Sequence, residues 1–408
     1  MNLQLAKDPC ILWVNRKLLN ELSAFSEQEL KSISPNTDRA KELVLVFCSE
    51  LNRSFFKKCR KEDPWISLKS IYLRDNVGAS YNKLRELLIR KGVINVFEYY
   101  IPGKQSYKYE MRDEYVTSGI TEYQIVNEKI RKKLLQRHED VTAHALENPI
   151  SSFLIEEVYP NIQLKSKKEL LEIGQNHVKS GYSTSKGKFL KQRGHKSRLN
   201  SLKRKNVRYI EDDILLYERL TKGGFKVPTI GSTRCGGRVY DSFSLMPKWI
   251  RSSLTVNNSE LVELDYSTLH PNIANHIYGN NKNTISHTDA ANFLKIDKKE
   301  AKIMNMSFFN KRVKDMKACP LFEYYQSEFP SMLDEIVLIK DVYGYKKVSH
   351  DLFRIETKLM TEVINQLRAL HIPAIYIYDA LLVEKSNEAI VRNIMNNCAR
   401  EIGLNTSV

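Results

Sequence analysis

The chain has 408 residues, enough for two or three domains with hydrophobic cores, and its 42% of hydrophobic residues is ordinary for a globular protein. Its net charge of +16 and pI near 9.3 are high and favour a polyanionic partner, nucleic acid before membrane. Neither a long apolar run nor a charged-then-apolar leader occurs, so we expect a cytoplasmic protein without a membrane anchor. The six cysteines are scattered without zinc-binding spacing, which predicts buried thiols in a reducing compartment.

The first 120 residues are predicted to contain two regions. Residues 1–60 have helical periodicity and form a predicted helical N-terminal region. Residues 61–120 are predicted to contain two short helices, the second over 79–90, and then strands over 93–101 and 106–111. This order resembles a winged-helix domain, which commonly places its second helix in a DNA groove. Lys83, Arg85, Arg90 and Lys91 favour nucleic acid, and a small α+β module for protein contacts is the alternative.

Residues 121–225 are predicted to be helical and are strongly basic in their middle. Between Lys165 and Lys205 there are thirteen Lys or Arg residues against two Glu residues. The densest stretch, residues 183–205, is interleaved with glycine and serine. A solvated surface segment is the simplest interpretation of such a charge run. A thumb-like segment that contacts phosphates is the interpretation we favour, and it would position a duplex without reading its sequence.

Two lone acids stand at the ends of apolar strand-like stretches. Asp265 stands at the end of an apolar stretch, and a short helix is predicted to begin at Pro271. Further along the chain, two apolar halves meet at Asp379, as the tip of a hairpin would present it. A single Asp at a strand end is most often a turn former or a helix cap. Two facing carboxylates, however, are what a pair of Mg²⁺ ions needs for phosphoryl or nucleotidyl transfer.

Further motifs surround the two acids. A Gly-Gly-Arg segment that ends at Arg238 leads to Arg251 and then to Asp265. Residues 298–309 are predicted to form a helix with Lys298, Lys302 and Asn305 on one side, which can hold a triphosphate. Residues 351–370 are predicted to form a long amphipathic helix directly before the second acid.

In this order the motifs resemble the palm and fingers of family A nucleic acid polymerases, the family of DNA polymerase I and the single-subunit phage RNA polymerases. The resemblance covers roughly residues 225–405 and implies a site for two Mg²⁺ ions, with Mn²⁺ as an alternative. The resemblance implies that Asp265, Asp379 and the backbone carbonyl of Tyr266 bind the metal ions. It also implies that Lys302, with Lys298 beside it, neutralises charge at the pyrophosphate and that Asn305 binds the nucleotide. Arg238 and Arg251 would contact the primer or the incoming phosphates, and His270 stands in the place of a Glu that blocks the 2′-hydroxyl.

The sequence departs from the family pattern in three places. The family's nucleotide-binding helix usually begins with Arg and ends in Tyr-Gly, whereas Lys298 and Asn310-Lys311 stand here. The residue after the second acid is Ala380. DNA-synthesising members of the family have a Glu at this place, and the single-subunit RNA polymerases lack that Glu. Plainer interpretations also stay open, namely that Lys298 and Lys302 are solvated, that Arg251 is a surface cation, and that His270 is a polar residue at a helix start.

We therefore predict a mixed α/β (α+β) protein with an antiparallel palm sheet and short helical fingers. The predicted divisions are residues 1–60, 61–120, 121–225 and 226–408. The predicted function is that of an exonuclease-free, monomeric DNA polymerase of a phage, plasmid or mobile element, acting on primed template or duplex DNA with dNTPs or NTPs. The alternatives are a primase or RNA polymerase, and a DNA-binding initiator whose palm is catalytically silent.

Overall fold

The computed structural model of the protein describes residues 7–60, 62–97, 99, 101, 106–184, 186–194, 202, 204, 206–279 and 283–408. The chain forms two compact units, each discontinuous in sequence. The first consists of Met1–Thr142, Lys165–Lys226 and Met246–Arg251, and the second of Ala143–Leu164, Val227–Leu245 and Ser252–Val408. The four divisions predicted from the sequence stay a prediction.

The described elements make the protein a mixed α/β structure with small sheets. Its strands are β1 (Ile11–Asn15), β2 (Ile66–Ser67), β3 (Ile94–Phe97), β4 (Lys108–Met111), β5 (Ile120–Gln124), β6 (Ile162–Gln163), β7 (Phe189–Lys191), β8 (Val207–Tyr209), β9 (Thr229–Ile230), β10 (Val239–Tyr240), β11 (Thr255–Val256), β12 (Ser259–Asp265), β13 (Ala374–Ile377) and β14 (Ala380–Glu384). Its helices are α1 (Arg16–Glu21), α2 (Glu27–Ile33), α3 (Thr37–Ser49), α4 (Asn52–Cys59), α5 (Ser70–Val77), α6 (Tyr81–Arg90), α7 (Asp113–Ser118), α8 (Glu128–Leu146), α9 (Pro149–Phe153), α10 (Lys167–Lys179), α11 (Ile210–Thr221), α12 (Ser242–Leu245), α13 (Lys248–Arg251), α14 (Leu269–Ala274), α15 (His287–Leu294), α16 (Lys298–Phe308), α17 (Val313–Lys317), α18 (Leu321–Glu328), α19 (Pro330–Tyr343), α20 (Lys347–Ala369) and α21 (Glu388–Glu401).

Three small sheets lie in the described part of the first unit. Strands β1 and β5 pair antiparallel, β2, β4 and β3 form an antiparallel sheet in that order, and β7 and β8 pair parallel. Residues 1–60, predicted to be a helical region, contain strand β1 as well as helices α1 to α4, and this strand pairs with β5. Ile11, Trp13 and Val14 are β-branched or aromatic, and they find a partner strand more than a hundred residues away, which local periodicity does not reveal.

The second unit is built on a five-stranded antiparallel sheet in the order β13-β14-β12-β11-β6. Strands β13 and β14 are apolar along nearly their whole length, and Tyr376, Leu381 and Val383 are buried. Helix α20 places the stripe Leu352, Leu359, Val363 and Leu367 in the core, and it packs with α14 and α21. Pro373 separates α20 from β13, because proline cannot continue the helix.

The predicted basic stretch over residues 183–205 lies only partly within the described residues, and its positions 185, 195–201, 203 and 205 lie outside them. None of the described helices is both long and apolar enough to cross a membrane.

Candidate active site

The two aspartates predicted to bind metal stand at the same end of the sheet of the second unit. Asp265 is the last residue of β12 and pairs across the sheet with Ala380, the first residue of β14. Asp379 directly precedes Ala380 in the two-residue turn that joins β13 to β14. Asp265 and Asp379 are thus presented at one end of the sheet by neighbouring strands, and the charge of Asp265 acts on the Asp379 carboxyl.

Tyr378, the other residue of this turn, has a left-handed backbone conformation with φ of 60°. Bulky side chains rarely adopt this conformation, and such strain is kept only where the surroundings hold it in place. The Tyr378 ring packs edge-on against Tyr240 and Tyr376, with centroids 5.7 and 6.3 Å away. The turn that presents Asp379 is therefore held by an aromatic cluster.

The electrostatic environment of Asp379 favours its protonated form. Burial raises the pKa of the Asp379 carboxyl to about 7, and the charges of Glu356 and Asp265 act in the same direction. The nearby His270 lowers the pKa, but by less. The site thus concentrates negative charge, which a bound cation would relieve.

A buried ionic network lies beside the aspartates. The Arg238 guanidinium donates from Nε to Oε1 of Glu356 at 2.6 Å, and its Nη2 donates to Oε2 of the same carboxylate. The His270 ring also reaches this carboxylate, with Nε2 2.7 Å from Oε2. Burial lowers the pKa of Arg238, but the hydrogen bond and charge of Glu356 and the charge of Asp379 together outweigh it. The pKa of Arg238 is therefore raised above its usual value. Arg238 and His270 are thus brought together on one carboxylate, and the charges of Glu356 and His270 act on Asp379.

Glu356 is the member of this network that the sequence analysis missed. Its side chain is 0% exposed, and burial alone would raise its pKa, but hydrogen bonds from His270 and Arg238 lower the pKa below its usual value. The signal was present in the sequence. Glu356 follows Leu352 by four residues and precedes Leu359 by three, so an acid stands in the apolar stripe of an amphipathic helix. A buried acid requires a charged or hydrogen-bonding partner.

The Arg238 side chain is also sandwiched between aromatic rings. Its guanidinium carbon lies 3.8 Å from the centroid of the Phe353 ring and 5.1 Å from that of Tyr378. The preceding Gly236 has φ of 64°, and a Cβ at this position would clash with the backbone of Phe353 and Arg354. Glycine therefore allows the Arg238 loop to approach helix α20 closely.

Tyr266 follows Asp265 and is fixed by its own side chain. The hydroxyl donates to the backbone carbonyl of Met395 at 2.6 Å, and the residue is 3% exposed. The next residue, Ser267, donates its amide to the Ser407 carbonyl at 2.8 Å. The end of β12 is thereby anchored to α21 and to the C-terminal segment.

The predicted nucleotide-binding residues of helix α16 form a separate group. Lys298 and Lys302 are exposed, and their charges add to the burial that lowers the pKa of His287 to about 4. Asn305 is buried instead. It accepts a hydrogen bond from the Tyr325 hydroxyl at 2.5 Å, and its Nδ2 lies 3.2 Å from Nδ1 of His287. The structure therefore places the two lysines at the surface and gives Asn305 a partner inside the unit.

Arg251, in contrast, belongs to the first unit. It ends helix α13, is 7% exposed, and directs Nη1 toward the Met246 carbonyl at 3.5 Å. The interpretation of Arg251 as a surface cation does not fit this burial.

The donors available at the strand ends suit a hard divalent cation. Two carboxylates and a backbone carbonyl are oxygen ligands, which Mg²⁺ prefers, and the crowded charge at Asp379 fits a cation site. Within the described part of the chain, no group of three or more His, Cys, Asp or Glu residues is arranged to hold a metal. The predicted site depends on Asp265 and Asp379 alone for its side-chain ligands.

Comparison of the chain with protein-family models and with curated proteins finds no match.

Proposed function

We propose that the second unit catalyses template-directed nucleotidyl transfer with two Mg²⁺ ions, as a small DNA polymerase. The observation that carries the proposal is the pairing of Asp265 with Ala380, which places Asp265 beside Asp379 at one end of an antiparallel sheet. The raised pKa of Asp379 supports it, because the charge of Asp265 adds to the effects of burial and of Glu356 on this carboxyl. Antiparallel strands ending in two acids are also what the resemblance to family A polymerases implies for a palm.

The chain's own residues divide the work in the following way. Asp265, Asp379 and the Tyr266 carbonyl would hold the metal ions. Arg238, fixed by Glu356 and Phe353, presents a rigid cation to the primer or to an incoming phosphate. Lys302, with Lys298 beside it, would neutralise charge that develops toward the pyrophosphate. When bound, the ions would lower the pKa of a primer 3′-hydroxyl and neutralise the phosphates.

The test is incorporation of labelled dNTPs and NTPs by the full chain on primed and unprimed templates. We expect Mg²⁺-dependent extension of the primer with dNTPs, and its loss in Asp265→Asn and Asp379→Asn. Glu263→Gln is the matched control, because Glu263 is an exposed acid on the same strand. Synthesis that survives in either Asn variant would contradict the assignment of the metal ligands.

The same assay separates the alternatives. Synthesis from NTPs without a primer would favour a primase or RNA polymerase. Binding of nucleic acid without any synthesis would favour a DNA-binding initiator with a silent palm. We favour catalysis, because a silent palm would have no need to keep two like charges adjacent at a cost in stability.

A further inference from the structure

The three-stranded sheet of the first unit has one face that its own unit covers and one that carries aromatic rings. Ile66, Ile94, Tyr109 and Met111 are buried on the covered face. Strand residues alternate between faces, so Phe97 and its cross-strand partner Lys108 lie on the other face. Ser67 also pairs with Lys108, so its side chain lies on the same face as Lys108.

Three rings form a row on the outer face. The Trp65 and Phe97 centroids are 6.0 Å apart, and those of Phe97 and Tyr99 are 6.3 Å apart. Phe97 is 47% exposed and Tyr99 is 60% exposed. We call Trp65, Phe97 and Tyr99 the aromatic row. The buried residues of the opposite face already form the core of this sheet, so the row is not needed to close it.

The charges around the aromatic row favour an anionic partner. The Lys108 ammonium lies 5.8 Å from the Phe97 centroid, on the same face of the sheet. The acid on the same sheet face, Glu110, is bound by Lys58 at 3.3 Å and by the Asn95 amide at 2.8 Å. Asp63 is exposed, and its Oδ1 accepts from the Trp65 amide at 3.3 Å.

We propose that the aromatic row binds single-stranded nucleic acid by stacking against its bases, with Lys108 contacting the phosphate backbone. Exposed aromatic rings on a sheet, flanked by cations, are the arrangement by which proteins bind single strands without sequence preference. Base faces within a duplex are stacked on one another, so a single strand is the form that fits. Because the chain carries a net charge of +16, a nucleic acid is favoured as the partner over a protein surface with few acidic residues. This binding is independent of the proposed catalysis.

The test is equilibrium binding of a fluorescent oligo-dT of about 16 nucleotides, a length matched to such sites, to the full chain without nucleotide or Mg²⁺. In the double variant Phe97→Ala/Tyr99→Ala we expect the Kd for the single strand to rise roughly tenfold or more, as removal of one or two stacked bases implies. The Kd for a blunt duplex of equal length should change by less than about twofold, because its base faces are occupied. Ile71→Ala is the matched control, since Ile71 is 64% exposed on helix α5 of the same unit.

Two further variants keep the result interpretable. Phe97→Leu/Tyr99→Leu retains apolar bulk without rings and should lose affinity like the Ala variant, whereas Phe97→Trp should retain it. Thermal unfolding of each variant checks that the first unit is intact. Unchanged binding of oligo-dT by correctly folded variants would overturn the proposal and leave the aromatic row as a surface for protein contacts. An equal loss for single strand and duplex would also overturn it.

Discussion

Asp379 is the residue at which the loss of folding stability caused by the crowded charges of the candidate site can be measured directly. Its pKa is raised from 3.8 to about 7, so the folded protein holds an extra proton between these values. The contribution of this carboxyl to the stability of the fold is therefore fully present below about pH 4 and is lost as the pH rises through about 7. Asp379→Asn removes the charge, and we expect it to exceed the wild type in stability at about pH 8 by roughly 1–3 kcal/mol without divalent ions.

Denaturant unfolding of both proteins across this pH range, with EDTA and with MgCl₂, checks the prediction. The advantage of the variant should vanish toward about pH 4, where both side chains are neutral. Added Mg²⁺ should stabilise the wild type and leave the variant nearly unchanged. Equal stability of the two proteins in EDTA at high pH would show that the charge of Asp379 does not destabilise the folded protein.

Glu356 is expected to position Arg238 and to tune Asp379. Glu356→Gln removes the ion pair with Arg238 but keeps the shape of the side chain. We expect kcat to fall roughly tenfold, about 1.4 kcal/mol in the transition state. Because the charge of Glu356 raises the pKa of Asp379, the acid limb of the pH–rate profile should also move to lower pH. Glu362→Gln, an exposed acid on the same helix, is the control.

A loss of folding alone could lower kcat but would not move the acid limb of the profile. A variant with the wild-type pH profile would therefore assign Glu356 a purely structural role.

His270 tests whether this site selects the sugar. Its ring is fixed against Glu356 and remains partly exposed, with 24% of the side chain accessible. A fixed ring excludes a 2′-hydroxyl by contact, so we expect the wild type to prefer dNTPs. His270→Ala should raise NTP use relative to dNTP use by roughly tenfold, equivalent to about 1.4 kcal/mol. Single-nucleotide insertion on one primed template measures the ratio, and an unchanged ratio would remove His270 from the sugar site.

At the scale of elements, local pattern predicts the two acidic strand ends and leaves the network between them undetermined. The sequence predicts a strand that ends at Asp265, a hairpin tip at Asp379 and a long helix before it, and the structure has all three. Each depends on neighbours in sequence. The pairing of Glu356 with Arg238 joins residues 118 apart, and one sequence contains no signal for which cation a buried acid will meet. Asn305 shows a further limit, since helical spacing predicts a shared side and not which side is buried.

The approach of the Arg238 loop to helix α20 gives a prediction for a whole element. A methyl group at Gly236 would clash with the α20 backbone, and the left-handed φ there disfavours any other residue. Gly236→Ala should displace the loop and separate Arg238 from Glu356, lowering kcat by roughly tenfold or more. Gly344→Ala is the control, because Gly344 also has a positive φ but has no neighbour within 4 Å of an added Cβ.

Both glycine variants introduce strain at a positive φ, so their melting temperatures should fall together. Only the Gly236 variant should lose synthesis beyond what its stability explains. If Gly344→Ala lost activity equally, the close approach to α20 would not be the cause.

At the scale of the whole molecule, composition predicts a class of partner but does not predict the architecture. The charge of +16 indicates a polyanion, but the division into two units that each collect distant segments follows from tertiary pairing. The pairing of β1 with β5 is one such case. Residues 11–15 and 120–124 are short, and each segment alone lacks the periodicity that would distinguish a strand from a helix.

The excess charge also gives the prediction that concerns the chain as a whole. Lys203, Arg204 and Lys205 are the densest cations of the basic stretch, and cations that neutralise phosphates release counterions when they bind. Replacing all three by Gln should weaken binding to duplex DNA about equally for every sequence. It should also flatten the dependence of log K on log salt by up to about 0.9 for each phosphate that the variant no longer neutralises.

The measurement is a salt titration of duplex affinity for wild type and variant without Mg²⁺. A triple variant of Lys314, Lys317 and Lys385, all exposed cations of the second unit, removes the same net charge elsewhere. If only the total charge mattered, both triple variants would lower affinity alike. A slope that flattens only for the basic stretch would identify phosphate binding there, whereas equal slopes would return the stretch to a solvated surface.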